Sequence, residues 1–93
     1  MPLIGTGRVW PGKSEYYEVV LRAYVTYSIY VLPDRSSVDF DVRVYDENGN
    51  LVAYDVAPDA DAACTITPRW TGGFRIFVDS ARGMANYTLS IQP

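Results

Sequence analysis

The 93-residue chain contains no histidine. That absence removes the side chain most often used for proton transfer near neutral pH and the commonest nitrogen ligand of transition metals. Serine–histidine and cysteine–histidine nucleophile systems are excluded with it. Cysteine occurs once, as Cys64, so no internal disulfide can form. With no imidazole to activate it, and an alternating neighbourhood, Cys64 reads as a small buried side chain rather than a nucleophile. A basic excess is missing too: 8 Lys plus Arg stand against 11 Asp plus Glu, giving a formal charge of -3, and the positive residues are scattered singly from Arg8 to Arg82. Phosphate backbones are repelled by such a balance, and neither a basic stripe nor a recognition module is present, so no nucleic-acid partner is expected. No apolar run approaches the roughly 20 residues of a membrane-crossing helix, so no transmembrane segment is expected. Met1-Pro2-Leu3-Ile4-Gly5 has neither the charged region nor the apolar stretch of a signal peptide, so export is not encoded there.

What the chain has in abundance is alternation. Hydrophobic residues make up 48% and are spread along the whole length, enough for one core and one domain over residues 1–93. Residues 16–23 put Tyr17, Val19, Leu21 and Ala23 on one side and Tyr16, Glu18, Val20 and Arg22 on the other, the period of a half-buried strand. A strand over 26–32 has Tyr27, Ile29 and Val31 as its inner set, and Pro33-Asp34 opens a turn over 33–37. The alternation is clearest over 39–45, where Phe40, Val42 and Val44 face one way and Asp39, Asp41, Arg43 and Tyr45 the other. Asp46-Glu47-Asn48-Gly49-Asn50 supplies hairpin chemistry before a returning strand over 51–56. Further strands follow over 63–67 with Cys64 and Ile66, over 74–79 with Phe74, Ile76 and Val78, and over 87–92 with Tyr87, Leu89 and Ile91; turns are expected over 68–73 and 80–84. That makes seven strands and an eighth around 7–10, with no helical periodicity. The expected fold is all-β, an antiparallel β-sandwich of jelly-roll type, with a five-stranded closed barrel as the lower-ranked alternative.

The order of these pieces resembles the bacterial pre-peptidase C-terminal domain family. The resemblance covers about 15–91 and is carried by Tyr17-Glu18-Val19-Val20-Leu21-Arg22-Ala23, by the hairpin from Asp39 to Leu51, by Gly73-Phe74-Arg75-Ile76-Phe77-Val78, and by Tyr87-Thr88-Leu89-Ser90-Ile91. The family usually has Gly directly after the position matching Ala23, whereas this chain has Tyr24. The resemblance implies a jelly-roll-like sandwich attached to an exported protein, hence an extracellular or cell-surface location, and a role in maturation, stability or polymer binding rather than catalysis. Related domains in collagen-degrading enzymes bind collagen and calcium.

The candidate sites are few. Asp39 and Asp41 share a strand face, where their mutual repulsion invites Arg43 or a hard cation; at most one weak calcium site is expected, completed by backbone carbonyls or by Asp59 and Asp61. Asp46, Asn48 and Asn50 imitate the start of a calcium loop, but Gly49 falls fourth rather than sixth and Ala57 stands where a twelfth-position Glu belongs, so the segment is a turn. The glycines open no helix and form no phosphate cradle. Trp10 and Trp70 are expected to pack at the sandwich ends. Alternation leaves Tyr16, Val20, Tyr30, Leu32, Val52, Tyr54 and Phe77 facing outward, and on adjacent strands these build a patch that seeks a partner. The expected binding surface is Tyr16, Tyr30, Tyr54, Trp70 and Phe77. The expected function is therefore a non-catalytic accessory or protein-binding module of an exported protein. The alternatives are a self-associating subunit of an oligomer or filament, and a carbohydrate-binding module stacking polysaccharide on Tyr30, Tyr54 and Trp70.

Overall fold

The computed structural model describes residues 3–93; Met1 and Pro2, which begin the amino-terminal pattern considered above, lie outside the described residues. Eight strands follow one another: β1 (Leu3–Val9), β2 (Ser14–Leu21), β3 (Tyr27–Pro33), β4 (Asp39–Asp46), β5 (Leu51–Asp55), β6 (Ala62–Ile66), β7 (Gly72–Arg82) and β8 (Ala85–Gln92). They form two four-stranded antiparallel sheets, sheet A in the order β1-β8-β3-β6 and sheet B in the order β2-β7-β4-β5. Two separate open sheets rule out the closed five-stranded barrel. The chain has the all-β sandwich architecture that period-two alternation predicts.

One core lies between the sheets. Sheet B contributes Leu21, Phe40, Val42, Val44, Phe74, Ile76 and Val78, and sheet A contributes Val9, Ile29, Val31, Ile66, Leu89 and Ile91, all buried. Apart from Val9, these are residues that alternation assigns inward. Phe40 is fully buried and meets the Tyr87 ring edge-on, with centroids 6.1 Å apart. Beside them the interior holds a polar group: the Tyr87 hydroxyl donates to Glu15 Oε1 at 2.6 Å and shares a 2.7 Å hydrogen bond with the Tyr17 hydroxyl. Burial first, then these hydrogen bonds, pushes the Tyr87 phenol well above its ordinary range. β1 passes directly over this group. A Cβ on Gly7 would run into Glu15 Oε1 and the Tyr87 hydroxyl, and one on Gly5 into the Tyr17 ring, so close approach demands glycine at both positions.

Several boundaries differ from the sequence expectation. The eighth strand runs over Leu3–Val9 rather than 7–10, and β2 stops at Leu21, short of Ala23. The expected loop over 80–84 is mostly strand: β7 continues to Arg82, pairing Ser80 with Phe40 and Arg82 with Asp39 across a bulge. Ser80 is buried there and its hydroxyl donates to the Gly83 carbonyl. Small and polar Ser80-Ala81-Arg82 carries no apolar signal, so pairing with β4 decides its conformation where composition does not. The turn over 68–73 ends earlier than expected because β7 already begins at Gly72. The Asp46–Asn50 segment is a hairpin turn as read. Asp46 Oδ1 accepts from the Asn48 and Asn50 backbone N–H groups at 2.9 Å each, Oδ2 accepts from the Asn50 side-chain amide at 3.0 Å, and Gly49 takes φ 83°. These donors, the Asn50 backbone first, hold the Asp46 carboxyl below its usual value.

Candidate functional site

The outer face of sheet B follows from its register. Tyr16 pairs with Phe77, Phe77 with Arg43, and Arg43 with Tyr54, so one row across all four strands reads Tyr16–Phe77–Arg43–Tyr54. The row beside it is Glu18–Arg75–Tyr45, and on the other side lies Ser14–Asp79–Asp41. Cross-strand neighbours on one face touch. Tyr16 stacks on Phe77 with centroids 5.2 Å apart, Tyr45 meets Phe77 edge-on at 5.4 Å, and the Arg75 guanidinium sits 5.6 Å from the Tyr16 ring. The result is an aromatic cluster with an arginine on either side.

Charge is fixed around this cluster unevenly. Arg43 Nη1 donates to Asp79 Oδ2 at 2.6 Å, and Ser14 Oγ donates to the other oxygen of Asp79, which holds Arg43 in place beside Phe77. Arg75 and Glu18 approach only to 3.6 Å and both are more than half exposed. A pair of that kind is worth roughly 0–1 kcal/mol, so both side chains remain free to meet a ligand. Beside Tyr16, over Phe77 and Tyr45, lies a concavity of about 690 Å³ whose walls also include Glu18, Arg43, Glu47, Arg75 and Asp79. Its floor opens at Gly73, where no atom lies within 4 Å of the position a Cβ would take.

Of the expected surface residues, the structure brings Tyr16, Phe77 and Tyr54 onto this face. Tyr30 belongs to β3 and faces out from sheet A, on the opposite side of the sandwich. Trp70 lies between β6 and β7, stacked on Phe74 at 6.0 Å with its indole N–H donating to Glu47 Oε1 at 3.1 Å. It packs at an end of the sandwich, as expected. Trp10 is 43% exposed and lies 4.4 Å from the Lys13 ammonium. Sequence reasoning left out Tyr45, Arg43 and Arg75, although alternation placed all three outward; only the order β2-β7-β4-β5 shows that they surround Phe77.

The acidic pair occupies the end of the same face. Asp41 is 8% exposed, and Asp39 Oδ1 and Asp41 Oδ1 are both buried without a hydrogen-bond partner. Burial, then the Asp39 charge, raises the Asp41 carboxyl above its ordinary value; Arg43 opposes this, while Asp79 and Asp55 add to it. Two orphaned oxygens of this kind suit a cation. The loop after β5 comes close through its main chain, with Phe40 N–H donating to the Asp59 carbonyl at 3.3 Å, but the Asp59 and Asp61 side chains are exposed. Among the described residues no group of three or more His, Cys, Asp or Glu side chains is gathered closely enough to hold a metal ion. A calcium ion here would therefore draw most of its six to eight oxygens from main chain and water.

Cys64 on β6 packs against the core, and burial, then the Asp55 charge, pushes its thiol up to about 11. No helix among the described residues is long and apolar enough to cross a membrane.

No protein-family model matches the sequence, and no curated protein matches it. Among solved structures, the chain is similar to the pre-peptidase C-terminal domain of a collagenase from Bacillus anthracis, at 19% identity and a TM-score of 0.77, over 94% of this chain and 85% of that one. The fold is that of a pre-peptidase C-terminal domain, the family that the order of strands and hairpin resembles.

Proposed function

We propose that the chain is a non-catalytic accessory module of an exported protein and that it binds a protein partner across the outer face of sheet B. The observation that carries this reading is the Tyr16–Phe77–Tyr45 cluster between Arg43 and Arg75, whose Phe77 and Tyr45 line the adjoining concavity. Tyrosine and arginine are the residues that most often dominate protein interfaces, because each supplies a large contact area together with polar edges that stay satisfied. The non-catalytic reading is supported by the chemistry present: there is no imidazole, and the one thiol is held protonated. The exported location rests on the likeness of fold to the collagenase domain. The carbohydrate reading draws less support, because Tyr30, Tyr54 and Trp70 lie on three different parts of the molecule and Phe77 already has a tyrosine packed on its face and another at its edge.

Co-sedimentation with insoluble fibrous collagen, and in parallel with cellulose and chitin, tests the proposal. Retention on the protein polymer, weakened about tenfold by Phe77→Ser or Tyr16→Ser and unchanged by Tyr30→Ser, is the expected result, a loss typical of an interface anchor. Retention on the polysaccharides alone, or retention indifferent to Phe77, overturns it.

A second reading, a single weak calcium site at Asp39 and Asp41, is supported by their two unpartnered buried oxygens. Calorimetric titration with calcium should give binding that Asp39→Ala weakens; an unchanged affinity in that variant removes Asp39 from the site.

A further inference from the structure

We propose that the open edges of sheet B join copies of this chain head to tail, β5 of one copy pairing with β2 of the next. This contact uses strand edges; it shares Tyr16 and Tyr54 with the face assigned above to a protein partner, but not Phe77, Tyr45, Arg43 or Arg75.

The distribution of exposed apolar side chains points to the edges. Of the thirteen strongly exposed large hydrophobic residues among the described residues, nine lie on β1, β2 or β5 or one residue beyond them. An apolar edge strand is a template for another strand unless something blunts it. One edge of sheet A, β6, carries such a device, its Ala63 N–H being already taken by Asp55 Oδ2 at 3.0 Å. β5 carries only Asp55 as a charge, and both oxygens of that carboxylate are engaged, by the Ala57 and Ala63 N–H groups. The shift between Val44 and Tyr45 sets both Leu51 and Val52 against Tyr45, so β5 presents Leu51, Val52 and Tyr54 along its outer margin at 47%, 39% and 60% exposure. On the opposite edge, β2 presents Tyr16 at 54% and Val20 at 73%.

Topology selects the pairing. All neighbours in the order β2-β7-β4-β5 are antiparallel, so β5 runs opposite to β2. A copy shifted by simple translation therefore continues the antiparallel alternation without reversal. Pairing β2 with β2 would gather Glu15 and Glu18 of both copies along one seam, and pairing β5 with β5 would leave Tyr16 and Val20 bare. The register that sets Val20 beside Val52 and Val19 beside Ala53 keeps every like charge apart and matches outward residues with outward ones. Such an interface is heterologous and extends into a filament or closes into a ring.

The test uses the full chain in a Cys64→Ser background. Sedimentation velocity should show a weight-average mass that rises with concentration above the 10.4 kDa monomer. Val52→Lys should hold it at the monomer with an unchanged melting temperature. Under mild oxidation, Val20→Cys mixed with Val52→Cys should form a cross-linked dimer, since directly opposed Cβ atoms lie within about a disulfide's reach; neither variant alone should. A concentration-independent monomer, dimers from either single variant, or association that survives Val52→Lys overturns the proposal. The collagen retention of Phe77→Ser is read separately, so failure of the face and failure of the edge are distinguishable.

Discussion

Tyr24 takes φ 63°, the one non-glycine residue with positive φ among the described residues, at the place where the resembling family has glycine. Its conformation is enforced by the bend that follows β2: the Tyr24 N–H donates to the Pro68 carbonyl at 2.7 Å, and the neighbouring Ala23 N–H donates to Thr71 Oγ1 at 2.9 Å. An L-residue in this region costs roughly 1–2 kcal/mol through the approach of Cβ to the following carbonyl. The side chain returns little, since Tyr24 is 77% exposed. Tyr24→Gly removes the whole conformational penalty and adds about 0.4–1 kcal/mol of unfolded-chain entropy, leaving a net gain of about 0.5–1 kcal/mol. In a domain of this size about 1 kcal/mol corresponds to roughly 4–8 °C, so a rise of several degrees is expected in differential scanning calorimetry. Tyr24→Ala is the control, because it keeps the Cβ and the penalty while discarding the ring. If glycine proves no more stable than alanine, the strain argument is refuted.

Gly7→Ala should destabilise by about 1–3 kcal/mol in urea titration, because its Cβ collides with the Glu15–Tyr87 pair, whereas Gly73→Ala, facing open space, should be close to neutral. With its thiol raised to about 11, Cys64 should react slowly with a disulfide reagent at pH 8 and rapidly once urea unfolds the chain; fast reaction in the native state contradicts the burial. Asp41 has a folded-state pKa raised above its ordinary 3.8. The native state therefore holds that proton more tightly than the unfolded chain does, and stability from this group is lost as pH rises through the folded value. Asp41→Asn should accordingly be more stable than the wild type at pH 7 and no different at pH 3, and equal stability at both would remove Asp41 as a source of strain.

The inner face was legible because it obeys one rule. Phe40, Val42 and Val44 alternate without interruption, as do Phe74, Ile76 and Val78, and the structure buries every one of them. The extension of β7 through Ser80-Ala81-Arg82 was not legible, since those residues are ordered by pairing with Asp39 and Phe40 rather than by their own pattern. The aromatic face was half legible for a related reason. Alternation says which way Tyr16, Arg43, Tyr45, Arg75 and Phe77 point. Their proximity depends on β7 lying between β2 and β4, a non-local order that no local period encodes. Tyr30 shows the same limit from the other side, as an outward tyrosine that joins the wrong sheet. Tyr24 was legible only as a departure from the family pattern, and its positive φ gives that departure a physical meaning.

The two outer faces arise from the same alternation yet are decorated differently, and this asymmetry narrows where function lies. Sheet A turns outward mostly short side chains, Thr6, Thr88, Ser28 and Thr65, with Tyr30 and Leu32 among them, and ties Arg8 to Asn86 Oδ1 at 2.7 Å and Asn86 in turn to Asp34. Sheet B turns outward three aromatic rings in mutual contact and two arginines, one clamped by Asp79 and one loosely held. A tyrosine already stacked on a neighbour has little rotamer freedom left to lose when a partner arrives, and a guanidinium already fixed by a carboxylate is oriented before contact. Preorganisation of that kind costs stability in the free domain, through exposed apolar area and through crowded carboxylates at Asp41 and Asp79. The core does not require it, because Phe40, Ile76 and Val78 are buried whatever residues stand on the opposite side of the same strands. The aromatic face of sheet B is thus free to vary without unfolding the sandwich, and substitutions there should separate binding from stability more cleanly than substitutions anywhere else in the chain.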